Sequence, residues 1–203
     1  FARDRQQKTD IIINRALNGK RTAILNGVQK KSASALIGSF CAVVFSPSHL
    51  SLIKDGPSLR RKFIDAAICQ IKPSYASIIL KYQHVLNQRN FILKNLDKNK
   101  AWLSSLDIWD ESLVNFGSKI ICERIKYCNK LNLEASKIYS QLSKNSENMN
   151  LFYQTRLITK NNYSQEPDKE LDIRVLNTNF TDCLKLKRDS DIFLRYTSIG
   201  PHR

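Results

Sequence analysis

The chain has 203 residues and a 42% hydrophobic composition, enough to bury a core as one domain or two small ones, so disorder is not the default. Lys and Arg outnumber Asp and Glu by 33 to 18, giving a formal charge of +15 and a pI near 9.7. That excess points to a polyanionic partner such as nucleic acid, or equally to a basic protein whose lysines face water.

In chain order, Ile11-Ile12-Ile13 and Thr22-Ala23-Ile24-Leu25 are short β-type runs separated by Asn18-Gly19, and Asn26-Gly27 follows as a second turn signal. They predict an antiparallel meander. The small-residue stretch Ser32 to Leu36 reads as a short helix, and Phe40-Cys41-Ala42-Val43-Val44-Phe45 reads as a buried strand ended by Ser46-Pro47. From Gly56-Pro57 the pattern turns helical, with Phe63, Ile64, Ala67 and Ile68 on one face and Pro73 as the stop.

A second helix is expected over 74–96, where Tyr75, Ile79, Tyr82, Leu86, Leu93 and Leu96 alternate spacings of four and three, with Asn90 interrupting the stripe. A third is expected over 110–142, with Leu113, Gly117, Ile120, Arg124, Cys128, Leu131, Ala135, Ile138 and Leu142 on one side. At the usual helical rise it would be roughly 50 Å long. The short link between the two predicts an antiparallel helical hairpin. Residues 145–150 read as a turn, Leu151-Phe152-Tyr153 as a returning strand, 161–170 as a polar loop, 178–187 as a shorter helix and 193–199 as extended chain.

Catalytic motifs are not found. Gly19-Lys20 fails as a phosphate loop, because Asn14 stands where the first glycine belongs and Arg21 follows the lysine in place of Ser or Thr. No G-x-S-x-G elbow or H-E-x-x-H helix is present. The cysteines (Cys41, Cys69, Cys122, Cys128, Cys183) and histidines (His49, His84, His202) are too scattered for a disulfide framework or a metal set, which fits a reducing cytosol. Asp189 with Asp191 reads as a solvated pair in a charged turn. No apolar run approaches the length of about 18 residues that a membrane span needs, and Phe1 to Arg5 resembles no signal peptide, so the expected class is neither secreted nor membrane-spanning.

The informative stretch runs from Pro47 to Asp65, PSHLSLIKDGPSLRRKFID. It joins the expected strand to a helix whose early turns carry Arg60, Arg61 and Lys62, where the positive helix N-terminus disfavours cations. Some contact must offset this. Arg61 could pair with Asp65 one turn on, or Arg60 and Lys62 could meet phosphate.

This stretch resembles the signature of the RecF family: a proline-led loop, an aliphatic run, Gly-x-Pro, Arg-Arg-x-Phe and an aliphatic-acidic pair. Leu25-Asn26-Gly27, Val43-Val44-Phe45, Leu86-Asn87-Gln88-Arg89-Asn90, Trp109-Asp110-Glu111, Gly117, Arg124 and Thr197-Ser198-Ile199-Gly200-Pro201-His202-Arg203 extend the resemblance in order over nearly the whole chain. It implies an α+β fold of the ABC-ATPase-head type: part of a β-rich lobe at 1–55, a helical lobe or arm at 56–148, and a return segment at 149–203.

The resemblance further implies an ATP-dependent DNA-binding protein, related to SMC proteins, for recombinational repair, replication-fork maintenance and the SOS response. It would act in the bacterial cytoplasm at the nucleoid, binding gaps and single-strand to double-strand junctions as an ATP-dependent homodimer and loading RecA with RecO and RecR. ATP and Mg²⁺ would belong to the longer parent. The sequence looks like an interior piece without Walker A, ABC signature or Walker B, expected by itself to bind neither and to be inactive. Arg60, Arg61, Lys62, Asp65, His202 and Arg203 are the implied DNA or inter-lobe contacts. Pro47, Ser48 and His49 fall on a loop resembling the Q-loop, where the family carries acidic residues, so Ser48 and His49 weaken the case for Mg²⁺ coordination there. The alternative is a non-enzymatic module whose helical arm docks a partner protein. A generic RNA-binding helical protein explains the charge but not the Gly56 to Asp65 pattern.

Overall fold

The computed structural model describes residues 9–15, 21–157 and 172–203. Three strands, β1 (Ile11–Arg15), β2 (Arg21–Leu25) and β3 (Val28–Lys30), form an antiparallel meander in that order. Ile12 lies opposite Ile24, and Leu25 opposite Val28. The β2–β3 turn is Asn26-Gly27, both at positive φ (50° and 78°), the two-residue geometry that matches strand twist. The Asn18-Gly19 turn, Lys20 and the loop at 161–170 lie outside the described residues. A single 3-10 turn at Ala33–Leu36 occupies the expected short-helix position.

The predicted strand at 40–45 is not one. Beyond an isolated bridge between Ile37 and Phe40 it pairs with nothing among the described residues, and Val43 and Phe45 are almost wholly exposed. An apolar run becomes a strand only when a neighbouring strand accepts its backbone groups. It is instead tied to the helical part by Gln70, whose Oε1 accepts from Ala42 N at 2.7 Å. Gly38, at φ +82°, sits against Pro73 so closely that an added Cβ would lie 2.2 Å from the ring.

A short α1 (Ser51–Lys54) leads through Gly56 into α2 (Pro57–Ile71), with Pro57 in the first turn as expected. The hairpin follows as α3 (Ser74–Asn95) and α4 (Leu106–Leu142), the latter preceded by a 3-10 stretch at Lys100–Ser105. The returning strand at 151–153 is absent, because these residues lie as irregular chain beside α4: Leu151 N donates to Asn132 Oδ1 and Met149 O accepts from Ser136. The last helix, α5 (Ile173–Leu194), has 22 residues, longer than the predicted 178–187, and runs into the stretch predicted as extended from 193. Asp172 caps it by accepting from Arg174 N, and Arg195 ends it at φ +61°.

Helices α2, α3, α4 and α5 enclose one core, including Ile68, Tyr75, Tyr82, Leu86, Leu113, Ile121, Leu176 and Phe180. Gly117 marks the crossing of α3, α4 and α5: a Cβ there would lie 2.6 Å from Phe180 and 3.1 Å from Tyr82. The stripe on α4 is buried as far as Cys128, after which the helix runs on with Ile138 and Leu142 exposed.

A buried charge cluster ties α3, α4 and α5 together. Arg89, fully buried, donates from Nε to Asp110 (2.6 Å) and from Nη1 to Asp191 (2.8 Å) and to Thr197 Oγ1 (2.9 Å). Arg188 also grips Asp110 at 2.7 Å and reaches Asp107. Asp191 is therefore no solvated carboxylate: the helix turns it inward, where its other oxygen accepts from Ser198 N. Replacing Arg89 with Met leaves Asp110 without one of its two cations and Asp191 buried and unpaired, which should lower stability by about 3–5 kcal/mol in thermal or denaturant unfolding. Arg89→Lys should recover little, because one ammonium cannot span both carboxylates.

Candidate nucleic-acid interface

Asp65, one of the sequence-predicted site residues, belongs to Arg124. The guanidinium on α4 donates from Nε and Nη2 to the two Asp65 oxygens, both at 2.8 Å, and Tyr75 OH donates to Asp65 Oδ1 at 2.8 Å. Arg124 Nη1 donates to Pro201 O at 2.7 Å and to Tyr153 OH at 3.2 Å. Arg124 is buried, and these carboxylate hydrogen bonds hold its proton above the usual guanidinium range in spite of that burial. One side chain thus fixes α2, the 152–157 segment and the 197–203 segment relative to α4.

The expected Arg61 to Asp65 pair is not made, because Asp65 is already held in a two-pronged contact. Arg61 is half-buried, and neither a hydrogen bond nor an ion pair is found for it among the described residues. Burial first, then the charge of Arg124, pulls its pKa below the ordinary value. Arg60 turns back and donates from Nη1 to Leu52 O and Asp55 O, both at 2.9 Å, at the end of α1. Lys62 is exposed and lies outside the cleft formed by its neighbours.

His202 is half-buried beneath the same segment. Its Nε2 faces Thr197 O at 3.1 Å and so donates, which leaves Nδ1 to accept from Tyr82 OH at 2.6 Å. Burial is the main reason its pKa falls from 6.5 to about 4, and the cations of Arg203 and Arg61 add to it. Arg203 donates to Thr197 O and stacks over Tyr196 with 4.6 Å between guanidinium and ring centre. Gly200 adopts φ +138°, and a Cβ on it would lie 2.5 Å from Tyr82 OH.

These elements surround a cleft of about 690 Å³. Its walls are the first turns of α2 with Arg60 and Arg61, the 152–157 segment with Tyr153 and Arg156, and the C-terminal segment with Tyr196, Ser198 and Arg203. Of the predicted residues, Arg60, Arg61 and Arg203 therefore meet at one site, Asp65 and His202 support it from below, and Lys62 stands apart. Pro47, Ser48 and His49 lie in a separate 3-10 turn (Pro47–Leu50), where His49 Nδ1 accepts from Ser46 N at 3.1 Å. Arg124, Arg156, Tyr153 and Tyr196 were not picked out as site residues, although an arginine within the apolar stripe of α4 was a signal that a charge is buried with a partner.

Among the described residues no group of three or more His, Cys, Asp or Glu side chains converges that could hold a metal ion. What the cleft can do is hold an anion. Because His202 is neutral in the fold while the unfolded chain protonates near 6.5, the stability it contributes is complete above that pH and is lost as pH falls toward 4. Thermal unfolding followed from pH 7 to 4.5 should show this loss, and His202→Gln should flatten it.

No protein-family model matches the chain. Curated relatives described as DNA replication and repair protein RecF do match: that of Halothermothrix orenii is 36% identical over 203 residues, covering 99% of this chain and 51% of the relative. That of Clostridium botulinum strain Okra is 38% identical over 202 residues, covering 100% and 51%. Two solved structures, described as the recombination mediator protein RecF with ATPrS and with ATP in the RecFOR pathway, superpose with TM-scores of 0.85 and 0.86. Each is 30% identical, and the match covers 96% of this chain and 50% of the solved one. The chain spans about half the length of the curated relatives it matches. Sequence along its whole length and fold agree: the chain is similar, over about half of their length, to proteins of the RecF family.

Proposed function

We propose that this chain is the part of a RecF-type DNA replication and repair protein that carries the helical hairpin and a DNA-contacting basic cleft. The observation that carries the reading is the match to RecF relatives over 99% of the chain at 36% identity. The cleft walled by Arg60, Arg61, Arg156 and Arg203 supplies a local surface of the charge DNA requires. In the longer protein, ATP and Mg²⁺ would be held by segments outside the described residues, and nucleotide binding would drive dimerisation. Gaps and single-strand to double-strand junctions are the proposed targets, RecO and RecR the proposed partners, RecA loading the outcome, and the bacterial cytoplasm the location. No described helix is long and apolar enough to cross a membrane.

A second reading, that the hairpin docks a protein partner, is favoured by one observation: beyond Cys128 the helix α4 projects with Leu133, Ile138 and Leu142 exposed. Removing the whole hairpin cannot test this, because α3 and the first half of α4 build the core with α2 and α5. Shortening the tip across about 137–148 leaves that core intact, and with it the Asn132 and Ser136 bonds that hold the chain entering the cleft wall. Under the DNA reading such a variant keeps its DNA affinity; loss of partner capture alone would mark the tip as a docking arm.

Binding of the intact protein to gapped duplex DNA, measured by fluorescence anisotropy across a salt series, should weaken with a log-log slope of roughly −0.9 per neutralised phosphate. Undetectable binding at low salt, with and without ATP, would overturn the reading.

A further inference from the structure

Arginines that line a cavity are ordinarily matched by carboxylates, since an unpaired buried or half-buried cation loses hydration without gaining a partner. In the 690 Å³ cleft that match is missing for Arg61: four arginines line it, Arg61 half-buried and Arg60, Arg156 and Arg203 exposed, and none of the described residues lining it is Asp or Glu. The nearest suitable carboxylate, Asp65, has both oxygens taken by Arg124. Arg61 is left half-buried with no hydrogen bond or ion pair among the described residues, while Arg203 is already oriented by the Thr197 carbonyl and the Tyr196 ring.

A second, separate sign lies on the same wall. Ser198 lines the cleft, and its Oγ is buried without a hydrogen-bond partner. A buried hydroxyl of this kind is usually satisfied, and a group bound in the cleft would complete its bonding. Pro57 also lines the cleft, and α2 begins there with no side-chain cap over its first N–H groups. Guanidinium forks, a free hydroxyl and an uncapped helix start are all donors, and together they suit an oxyanion with several acceptor oxygens.

We infer that this cleft is a phosphate-binding pocket, in which Arg61 and Arg203 grip one phosphate group between α2 and the 196–203 segment, with Arg156 at its edge and Ser198 Oγ donating. Tyr153 and Tyr196 also line it, and a base can lie against the side of the exposed Tyr196 ring that Arg203 does not cover, so the phosphate is one attached to a nucleic-acid strand. The strand as the source of the phosphate rests on the DNA-binding reading above; the pocket itself does not. The residues that shape it work through position: Arg124 holds its two walls together, and Gly200 lets the backbone pass under Tyr82.

The test is arginine footprinting with phenylglyoxal on the full chain, read residue by residue by mass spectrometry, with inorganic phosphate, gapped duplex DNA or chloride at matched ionic strength. Phosphate should slow modification of Arg61 and Arg203 by about tenfold, the worth of a lost charge-assisted contact, and chloride should not. Arg174, exposed and paired with Asp172, serves as the internal reference. Arg61→Gln should abolish the phosphate protection of Arg203, and Lys62→Gln should leave it unchanged. Equal protection by phosphate and chloride overturns the pocket. So does an Arg61 that is unreactive from the start and insensitive to phosphate, the signature of an acidic segment of the protein filling the cleft. DNA that binds by anisotropy yet leaves Arg61 reactive overturns the strand as ligand and leaves the DNA-binding reading standing, whereas phosphate protection with no DNA binding at all overturns the latter and keeps the pocket.

Discussion

The structure depends on the fork between Arg124 and Asp65. A guanidinium buried on α4 has five donors to satisfy, and here they are shared between a carboxylate on α2, the phenol of Tyr153 and the carbonyl of Pro201. Replacing such a pair with apolar residues is often neutral for stability, so its presence says little about how much free energy it contributes. Its consequence is geometric. Three chain segments far apart in sequence meet at one planar group, and each of the cleft's walls is one of those segments or is attached to it.

A second anchor fixes the other end of the C-terminal segment. Thr197 is buried between Arg89 Nη1, which donates to its hydroxyl, and Asn90 Oδ1, which accepts from both its hydroxyl and its backbone N–H. Asp191 then takes the N–H of Ser198. With Thr197 held at one end and Pro201 at the other, the three residues between them have little freedom, and Gly200 supplies the one backbone angle a side chain would forbid. His202 adds to the same constraint through its bonds to Tyr82 and the Thr197 carbonyl, and burial favours its neutral ring.

The helices were legible because their information is local and periodic. Tyr75, Tyr82, Leu86 and Leu93 are all buried where a stripe of fours and threes places them, and the Asn90 that breaks the stripe faces inward to hold Thr197. The segments that failed needed information from elsewhere. Phe40 to Phe45 has a strand's composition but no neighbour among the described residues to complete it, and 151–155 takes its backbone bonds from an Asn on α4 instead of a strand. The site was half visible for the same reason. Arg60, Arg61 and Arg203 stood out as cations in a recognisable pattern, whereas Arg124 and Asp191 each gain their role from a partner dozens of residues away, which no spacing rule reveals.

The three consecutive cations at the start of α2 differ in what offsets their charge. Arg60 is offset within the chain, because its guanidinium donates to two backbone carbonyls, Leu52 O in α1 and Asp55 O just beyond it. Lys62 is exposed, so water and salt screen it and its placement costs little. Arg61 has neither solution: it is half-buried, Asp65 is already occupied, and Arg124 and Arg203 add positive potential around it. A folded chain tolerates such a residue when the surrounding contacts hold it in place, and here the Arg124 fork and the Thr197 anchor do so. The strain in the charge distribution is therefore concentrated at one side chain in an open cleft, where an incoming anion relieves it without any rearrangement of the fold.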